Sequence, residues 1–286
     1  MKIVTIEPRN FVSLLAQRPR ESHKGNFGHL LVMAGSHEKL GAGYLASLAA
    51  LRVGTGLVTY ALPKDAFEKF DARYSEIMCE AIPMEISRAL SLTTKKNAVA
   101  IGPAMGTEPQ TISFIRDFVE HVELPLVIDA DGLNALVGKI DILKHRKHPT
   151  ILTPHPGEMG RLLHMTTAEV QADRATHALK LAREQKVIVV LKGTGTIIAT
   201  PDERIFINPT GNPGMATAGT GDVLTGVVGG FLAQGVDPFT AALAGVYLHG
   251  LAGDLAEKKG EVGLIATDII AQLPEARVQA SQKVSR

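Results

Sequence analysis

The chain has 286 residues, 45% of them hydrophobic, with 30 Lys and Arg against 29 Asp and Glu for a formal net charge of +1. That length suits one large domain or two small ones, and the apolar share can bury a substantial core. A balance so close to neutral argues against nucleic acid or an anionic membrane as the main partner. The lone Cys79 rules out an intrachain disulfide and points to a reducing, cytoplasmic setting.

Residues 1–25 are interrupted by Glu7, Arg9, Arg18, Arg20 and Glu21, which is not the pattern of a signal peptide. They are expected as a polar N-terminal arm with a short helix near Phe11–Ala16. The first strand is the apolar run His29–Ala34, closed by Gly35 and Ser36. An Ala-rich helix Tyr44–Arg52 follows, opened by Gly41-Ala-Gly43, then a strand Leu57–Leu62, a helix Pro63–Phe70, a strand Glu76–Ile82 and a helix Met84–Leu92. The strand Asn97–Ile101 ends in Gly102-Pro-Ala-Met-Gly106, and an amphipathic helix spans Glu108–His121. The strand Pro125–Asp129 ends in two acids, Asp129 and Asp131. The basic run Lys144–His148 reads as a solvated loop. Thr150–Thr153 is a strand leading into Pro154-His-Pro-Gly-Glu158, and Thr167–Glu184 is helical.

Val187–Leu191 is a strand ending in Lys192-Gly-Thr-Gly-Thr196, followed by two short strands, Ile197–Ala199 and Arg204–Ile207, around a turn at Pro201 and Asp202. Asn208–Gly219 cannot be regular structure, because Pro209, Gly211, Pro213 and Gly214 break both helix and strand. From Gly219 the apolar residues Val223, Leu224, Val227, Val228, Phe231 and Leu232 recur with helical spacing. Pro238–Glu257 is a second long helix and Ala266–Leu273 a last short one, leaving 275–286 as a polar tail. The most apolar tracts, 41–63 and 238–253, are split by Arg52 or too short to cross a bilayer.

Apolar strands alternating with helices predict an α/β fold, a mostly parallel sheet covered on both faces. No linker or repeat divides the chain, so 1–286 reads as one domain. Five strand ends carry chemistry-bearing residues: Gly35/Ser36, Gly102–Gly106, Asp129/Asp131, His155/Glu158 and Lys192–Thr196. In an open parallel sheet such ends line one edge, where ligands bind.

A Gly-rich loop delivering the chain to a helix N-terminus at Gly219-Thr-Gly-Asp222 makes an anion site, because the first N–H groups lack intrahelical partners and carry the positive end of the helix dipole. Asp222 beside it could take a proton from an attacking hydroxyl. Lys192-Gly-Thr-Gly-Thr196 offers a cation, hydroxyls and flexible backbone for nucleotide phosphates or ribose. Glu158 could hold Mg2+ through water, since magnesium favours a few carboxylates and phosphate oxygens. Three glycines along the predicted helix, Gly226, Gly229 and Gly230, each cost it about 1 kcal/mol against Ala, so a close neighbour is expected there. There is no HExxH, CxxC or GxSxG motif, and neither the P-loop nor the dinucleotide fingerprint fits.

Four segments in order, His23–Ser36, Asp129-Ala-Asp-Gly-Leu-Asn134, Leu152-Thr-Pro-His-Pro-Gly-Glu158 and Asn212–Asp222, resemble the NAD(P)H-hydrate dehydratase family of the ribokinase-like superfamily, over residues 20–275. The stand-alone bacterial form is the nearest likeness, since motifs starting at His23 leave no room for the epimerase domain fused to some relatives. The resemblance implies a three-layer ribokinase-like fold. It also implies repair of the S-epimer of hydrated NADH or NADPH at the expense of ADP, by phosphorylation of the ring hydroxyl and elimination. Carried over by position, Ala42, Gly106, His155 and Asp222 would contact the hydrated nucleotide, with Asp222 as base. Lys192, Gly193, Thr194, Gly195, Thr196, Gly219, Thr220 and Gly221 would contact the nucleotide co-substrate. Magnesium at Glu158 and a homotetramer come with it. Ala104 stands where many relatives carry glycine. Two other readings remain, a ribokinase-like kinase of a small alcohol such as hydroxyethylthiazole and a non-catalytic nucleotide-binding regulator.

Overall fold

The computed structural model describes residues 2–68, 76–258 and 260–284. Its strands are β1 (Ile3–Thr5), β2 (His29–Met33), β3 (Leu57–Pro63), β4 (Met78–Ile82), β5 (Ala98–Ile101), β6 (Leu126–Ile128), β7 (Thr150–Leu152), β8 (Ile188–Leu191), β9 (Ile197–Ala199) and β10 (Ile205–Ile207). They form one sheet in the order β1-β10-β9-β8-β7-β6-β5-β2-β3-β4. The run from β8 to β4 is parallel throughout, while β9 is antiparallel to both β8 and β10. The chain moves outward from β2 to β4, then returns to the other side of β2 to start β5. The direction of winding therefore reverses between β2 and β5, and an open sheet leaves a crevice at such a point.

Side chains on a strand alternate between faces, and β2 shows what each face meets. Leu30 and Val32 enter the core shared with Phe231, Val227 and Ala46, whereas Leu31 and Met33 enter the one built with Phe114, Phe118 and Leu181. Both faces are thus covered, which is why the central strands are apolar at every position rather than alternately.

Most expected elements are present. The helix expected over Pro63–Phe70 is observed as Lys64–Phe67, and its last residues, 69–70, lie outside the described residues. Five features differ from expectation. The N-terminal arm contributes β1, paired parallel to β10, ahead of a 3-10 helix at Pro8–Leu15. Segment 156–163, to which the sequence assigns no element, is a helix: Pro156 occupies its first turn, where no N–H is needed. The expected helix Thr167–Glu184 is two, Thr167–Ala172 and Arg174–Gln185, because Asp173 leaves helical geometry and caps the second by accepting from Thr176 N at 3.1 Å.

The polar tail after Leu273 is instead part of a helix running Ala266–Val284 through Pro274. Ala276 and Ala280 are buried, and Arg277 Nη2 donates to Leu14 O at 2.6 Å, so tertiary anchoring outweighs the break that proline suggests. The basic run is not wholly solvated either. Arg146 donates to Leu124 O at 2.8 Å, Val122 O at 2.9 Å and Thr150 Oγ1 at 3.0 Å, and also to Val119 O, tying the starts of β6 and β7 to the preceding helix.

Candidate active site

The sheet topology puts the carboxyl ends of β2, β5, β6, β7 and β8 side by side, and hydrogen bonds stitch the loops that leave them. Gly35 N donates to Pro103 O at 2.8 Å, joining the β2 and β5 ends beside the crevice. Gly106 N donates to Asp131 Oδ2 at 2.9 Å, Asn134 Nδ2 to Asp131 Oδ1 at 3.1 Å, and Arg161 Nε to Asn134 Oδ1 at 2.9 Å. That chain ties Gly106 to the helix Pro156–Leu163, on which His155 is the N-cap. Ala104 has φ +56°, a conformation that strains any residue with a Cβ.

Three acids gather around one lysine. Lys192, just past β8, places Nζ 2.6 Å from Asp129 Oδ1 and 3.8 Å from Glu158 Oε2. Asp129, just past β6 and 1% exposed, accepts its second hydrogen bond from Thr225 Oγ1 at 2.7 Å. Glu158 belongs to a capping box with His155: His155 N donates to Glu158 Oε2 at 2.7 Å, and Gly157 N to His155 Nδ1 at 3.0 Å.

The electrostatics follow from burial. Asp222 is pushed up to about 7, first by burial, then by the Asp129 and Glu158 charges, with Lys192 opposing. Burial likewise raises Glu158 to about 6. For Lys192, burial alone would lower the value, but the Asp129 and Glu158 carboxylates outweigh it and keep the ammonium firmly protonated. Burial and the Lys192 charge lower His155, which holds its imidazole neutral. A carboxyl that titrates near neutrality beside a fixed cation is suited to proton transfer at physiological pH.

The helix Thr220–Ala233 begins among these groups. Its N-cap, Gly219, has φ +88°, a left-handed conformation natural only to glycine. A Cβ built on Gly221 would lie 3.4 Å from Lys192 Nζ, which fixes how closely the ammonium approaches the helix end. The N-terminal amides and the Lys192 cation together favour an anion. His249, in the helix Pro238–Glu257, faces the same turn, with Nε2 3.0 Å from Thr220 O. Since a carbonyl only accepts, Nε2 carries the proton. Burial lowers this histidine to about 4, so it is neutral.

Beside the helix end opens a cavity of about 380 Å3, walled by the β8 loop, the Gly-rich loop and His249. Arg174 shapes the first wall from behind, donating to Thr194 O at 2.6 Å, Leu191 O at 2.9 Å and Lys192 O at 3.2 Å. Asp254 shapes the second, with both carboxylate oxygens 3.1 Å from Gly211 N.

The expected site residues fall into two groups. Lys192, Gly193, Thr194, Gly195, Thr196, Thr220 and Gly221 all line the cavity. Ala42, Gly106, His155 and Asp222 do not; they sit at the strand-end edge beside it, Ala42 in the first turn of the helix Gly41–Arg52 and His155 with a half-exposed ring. Gly219 is the hinge between the groups. Glu158 is 5% exposed, and Oε2 already accepts the His155 N–H. Among the described residues no three His, Cys, Asp or Glu side chains form a metal-binding set. The residues therefore fit magnesium only in the form expected from sequence, reached through water and completed by phosphate oxygens.

Thr225, Arg174, His249 and Asp254 adjoin the candidate site and are not among the residues expected from the sequence. Thr225 and His249 were detectable as lone polar residues within apolar helical stretches. Nothing in the sequence marks Arg174, whose partners are backbone carbonyls.

The Carb_kinase family model, described as NAD(P)H-hydrate dehydratase, matches residues 30–275. The chain is 43% identical over 272 residues to the bifunctional NAD(P)H-hydrate repair enzyme Nnr of Moorella thermoacetica, covering 92% of this chain and 51% of that protein. It is 39% identical over 265 residues to the ADP-dependent (S)-NAD(P)H-hydrate dehydratase of Neisseria meningitidis, covering 91% and 88%. The chain thus spans about half the length of the bifunctional relatives and most of the Neisseria protein. A crystal structure of the ADP/ATP-dependent NAD(P)H-hydrate dehydratase of Bacillus subtilis, co-crystallised with ATP and Mg2+, matches with a TM-score of 0.84 at 31% identity, covering 98% of this chain and 99% of that one. Similar along most of its length in both sequence and fold, the chain belongs to the NAD(P)H-hydrate dehydratase family, with a ribokinase-like architecture.

Proposed function

We propose that this chain is an ADP-dependent (S)-NAD(P)H-hydrate dehydratase, acting as one ribokinase-like domain. The observation that carries the reading is the juxtaposition at the start of the helix Thr220–Ala233: free N-terminal amides, the Lys192 ammonium, and an Asp222 carboxyl raised to about 7. ADP occupies the cavity along Lys192–Thr196, with its β-phosphoryl at Gly219–Gly221. The hydrated nicotinamide ring lies at the strand-end edge among Ala42, Gly106 and His155.

The ring hydroxyl attacks the β-phosphorus and Asp222 takes its proton. The bond to the bridging oxygen breaks and AMP leaves. Charge that gathers on the phosphoryl oxygens meets the helix amides and Lys192. The ring nitrogen's lone pair then expels phosphate, and loss of a ring proton restores NADH or NADPH. Hydrate and ADP thus give reduced nucleotide, AMP and phosphate. Glu158 would hold magnesium through water, and the ion would supply neutralisation of phosphate charge. The neutral His155 hydrogen-bonds the substrate without adding a competing charge.

No helix among the described residues is long and apolar enough to cross a membrane. A cytoplasmic homotetramer completes the proposal, the free Cys79 supporting the compartment and sedimentation testing the assembly. The deciding experiment incubates the protein with hydrated NADH and ADP or ATP. Recovery of reduced-nicotinamide absorbance with stoichiometric AMP supports repair. A stable phosphorylated small alcohol with no recovery would favour the kinase reading, and binding without turnover the regulator.

A further inference from the structure

The roles above leave Asp129 without a task, yet it is the most buried charged group at the site. It is 1% exposed, and its two oxygens are taken by groups from two other elements, Lys192 after β8 at 2.6 Å and Thr225 of the helix Thr220–Ala233 at 2.7 Å. It caps no helix: the residue at the N-cap of the next one is Ala130, with no side-chain bond. A buried ion pair is a weak device for stability alone, because desolvation offsets most of the attraction. Here one partner of the pair lines the cavity and stands 3.4 Å from a Cβ position on Gly221.

We propose that Asp129 is a positioning residue: with Thr225 holding its second oxygen, it fixes the Lys192 ammonium beside the N-terminal amides of the Thr220–Ala233 helix, where the phosphoryl group transfers. This rests on the function proposed above. A free lysine has a flexible four-carbon stem and many rotamers. Asp129 takes one of its three N–H donors and leaves others for phosphoryl oxygens. The Thr225 hydroxyl also lies 3.2 Å from Gly221 O, so the clamp reaches the same helical turn that binds the anion. A charge held in advance where negative charge develops stabilises the transition state more than the bound nucleotide. Asp129 therefore acts on turnover rather than on ADP affinity, and through Lys192 rather than by touching substrate.

The test uses Asp129→Asn, Thr225→Val and Thr225→Ser in the full chain, with three measurements: kcat on hydrated NADH with ADP, the ADP dissociation constant by calorimetry, and acylation of Lys192 in ligand-free protein by mass spectrometry. Asp129→Asn is expected to lower kcat about 30-fold or more while ADP affinity stays within about threefold. Thr225→Val is expected to lower kcat about fivefold, with Thr225→Ser restoring it to within about twofold. Lys192 acylation is expected to rise about fivefold or more in Asp129→Asn, since an ammonium released from a carboxylate loses its proton more readily. Unchanged kcat, or kcat and ADP affinity falling together with Lys192 labelling unaltered, overturns the proposal. If Asp129→Asn does not fold, the near-isosteric Thr225 pair decides. If wild-type protein does not turn over the hydrate, the functional reading fails, and Lys192 labelling still decides the clamp.

Discussion

Asp222 carries the sharpest residue-scale expectations. Its carboxyl titrates near 7 because it is buried beside Asp129 and Glu158, and only the ionised form can take a proton. kcat/KM for the hydrate is therefore expected to rise with pH through about 7, measured as a pH–rate profile on free enzyme. Asp222→Asn is expected to lower kcat by a factor of about 100 to 10,000, with ADP binding retained by calorimetry. Stability should move the other way. The folded state holds this proton up to about 7 while the unfolded chain releases it near 3.8, so ionisation disfavours the fold as pH rises between those values. At pH 8 Asp222→Asn is accordingly expected to melt higher than wild type. A second residue-scale expectation concerns Ala104. With φ at +56°, Ala104→Gly removes a steric cost of about 1 kcal/mol, an increase to be read from urea denaturation.

At the scale of elements, the helix Thr220–Ala233 explains the glycines that its sequence carries at a cost. A Cβ on Gly226 would lie 2.0 Å from Ala46 O, and one on Gly230 would meet Thr55 Oγ1 at 2.6 Å and Ala50 Cα at 3.1 Å. The helix Gly41–Arg52 thus runs backbone to backbone against it, which holds Ala42 and Leu45 near the anion end. Gly229 differs: its nearest neighbours are the side-chain ends of Leu30 at 3.2 Å and Ala100 at 3.3 Å. Gly226→Ala is expected to destabilise the protein by about 3 kcal/mol, because backbone cannot yield. Gly229→Ala is expected within about 1 kcal/mol of wild type, helix propensity offsetting mild crowding. Equal unfolding midpoints for the two variants would contradict this account.

Across the whole molecule the two ends of the sheet have separate duties. The carboxyl ends hold Asp129, Glu158, Asp222, His155 and Lys192, the titratable groups of the candidate site. The opposite end is fastened by Arg146, whose guanidinium satisfies the carbonyls of Val119, Val122 and Leu124 and the hydroxyl of Thr150. Burial lowers that arginine to about 10, still far above neutrality, so it remains charged. Arg146→Ala leaves several buried acceptors unpartnered and is expected to cost about 2 to 4 kcal/mol. Denaturant unfolding measures the loss, and kcat on folded protein should be unchanged. A fall in kcat would show that the two ends are coupled.

The sequence alone determined the parallel sheet, because strands such as Ala98–Ile101 and Ile188–Leu191 are apolar on both faces and can only be buried between layers. It also marked Gly219-Thr-Gly-Asp222 as the start of a helix, with amides suited to an anion, since these residues are contiguous and their chemistry is local. The helix Pro156–Leu163 was illegible because Pro and Gly read as breakers until the capping box is seen. The continuation past Pro274 was hidden for the same reason, its anchors lying at Leu14 and in the buried core. Only tertiary structure could make Asp129, Thr225 and Lys192 one unit, as they lie 96 and 63 positions apart along the chain. Gly219-Thr-Gly-Asp222, legible as an anion site, thereby gains its cation and the neighbours that raise its acid. Charge interactions depend on distance in space and on exclusion of water, and neither is written in the order of residues.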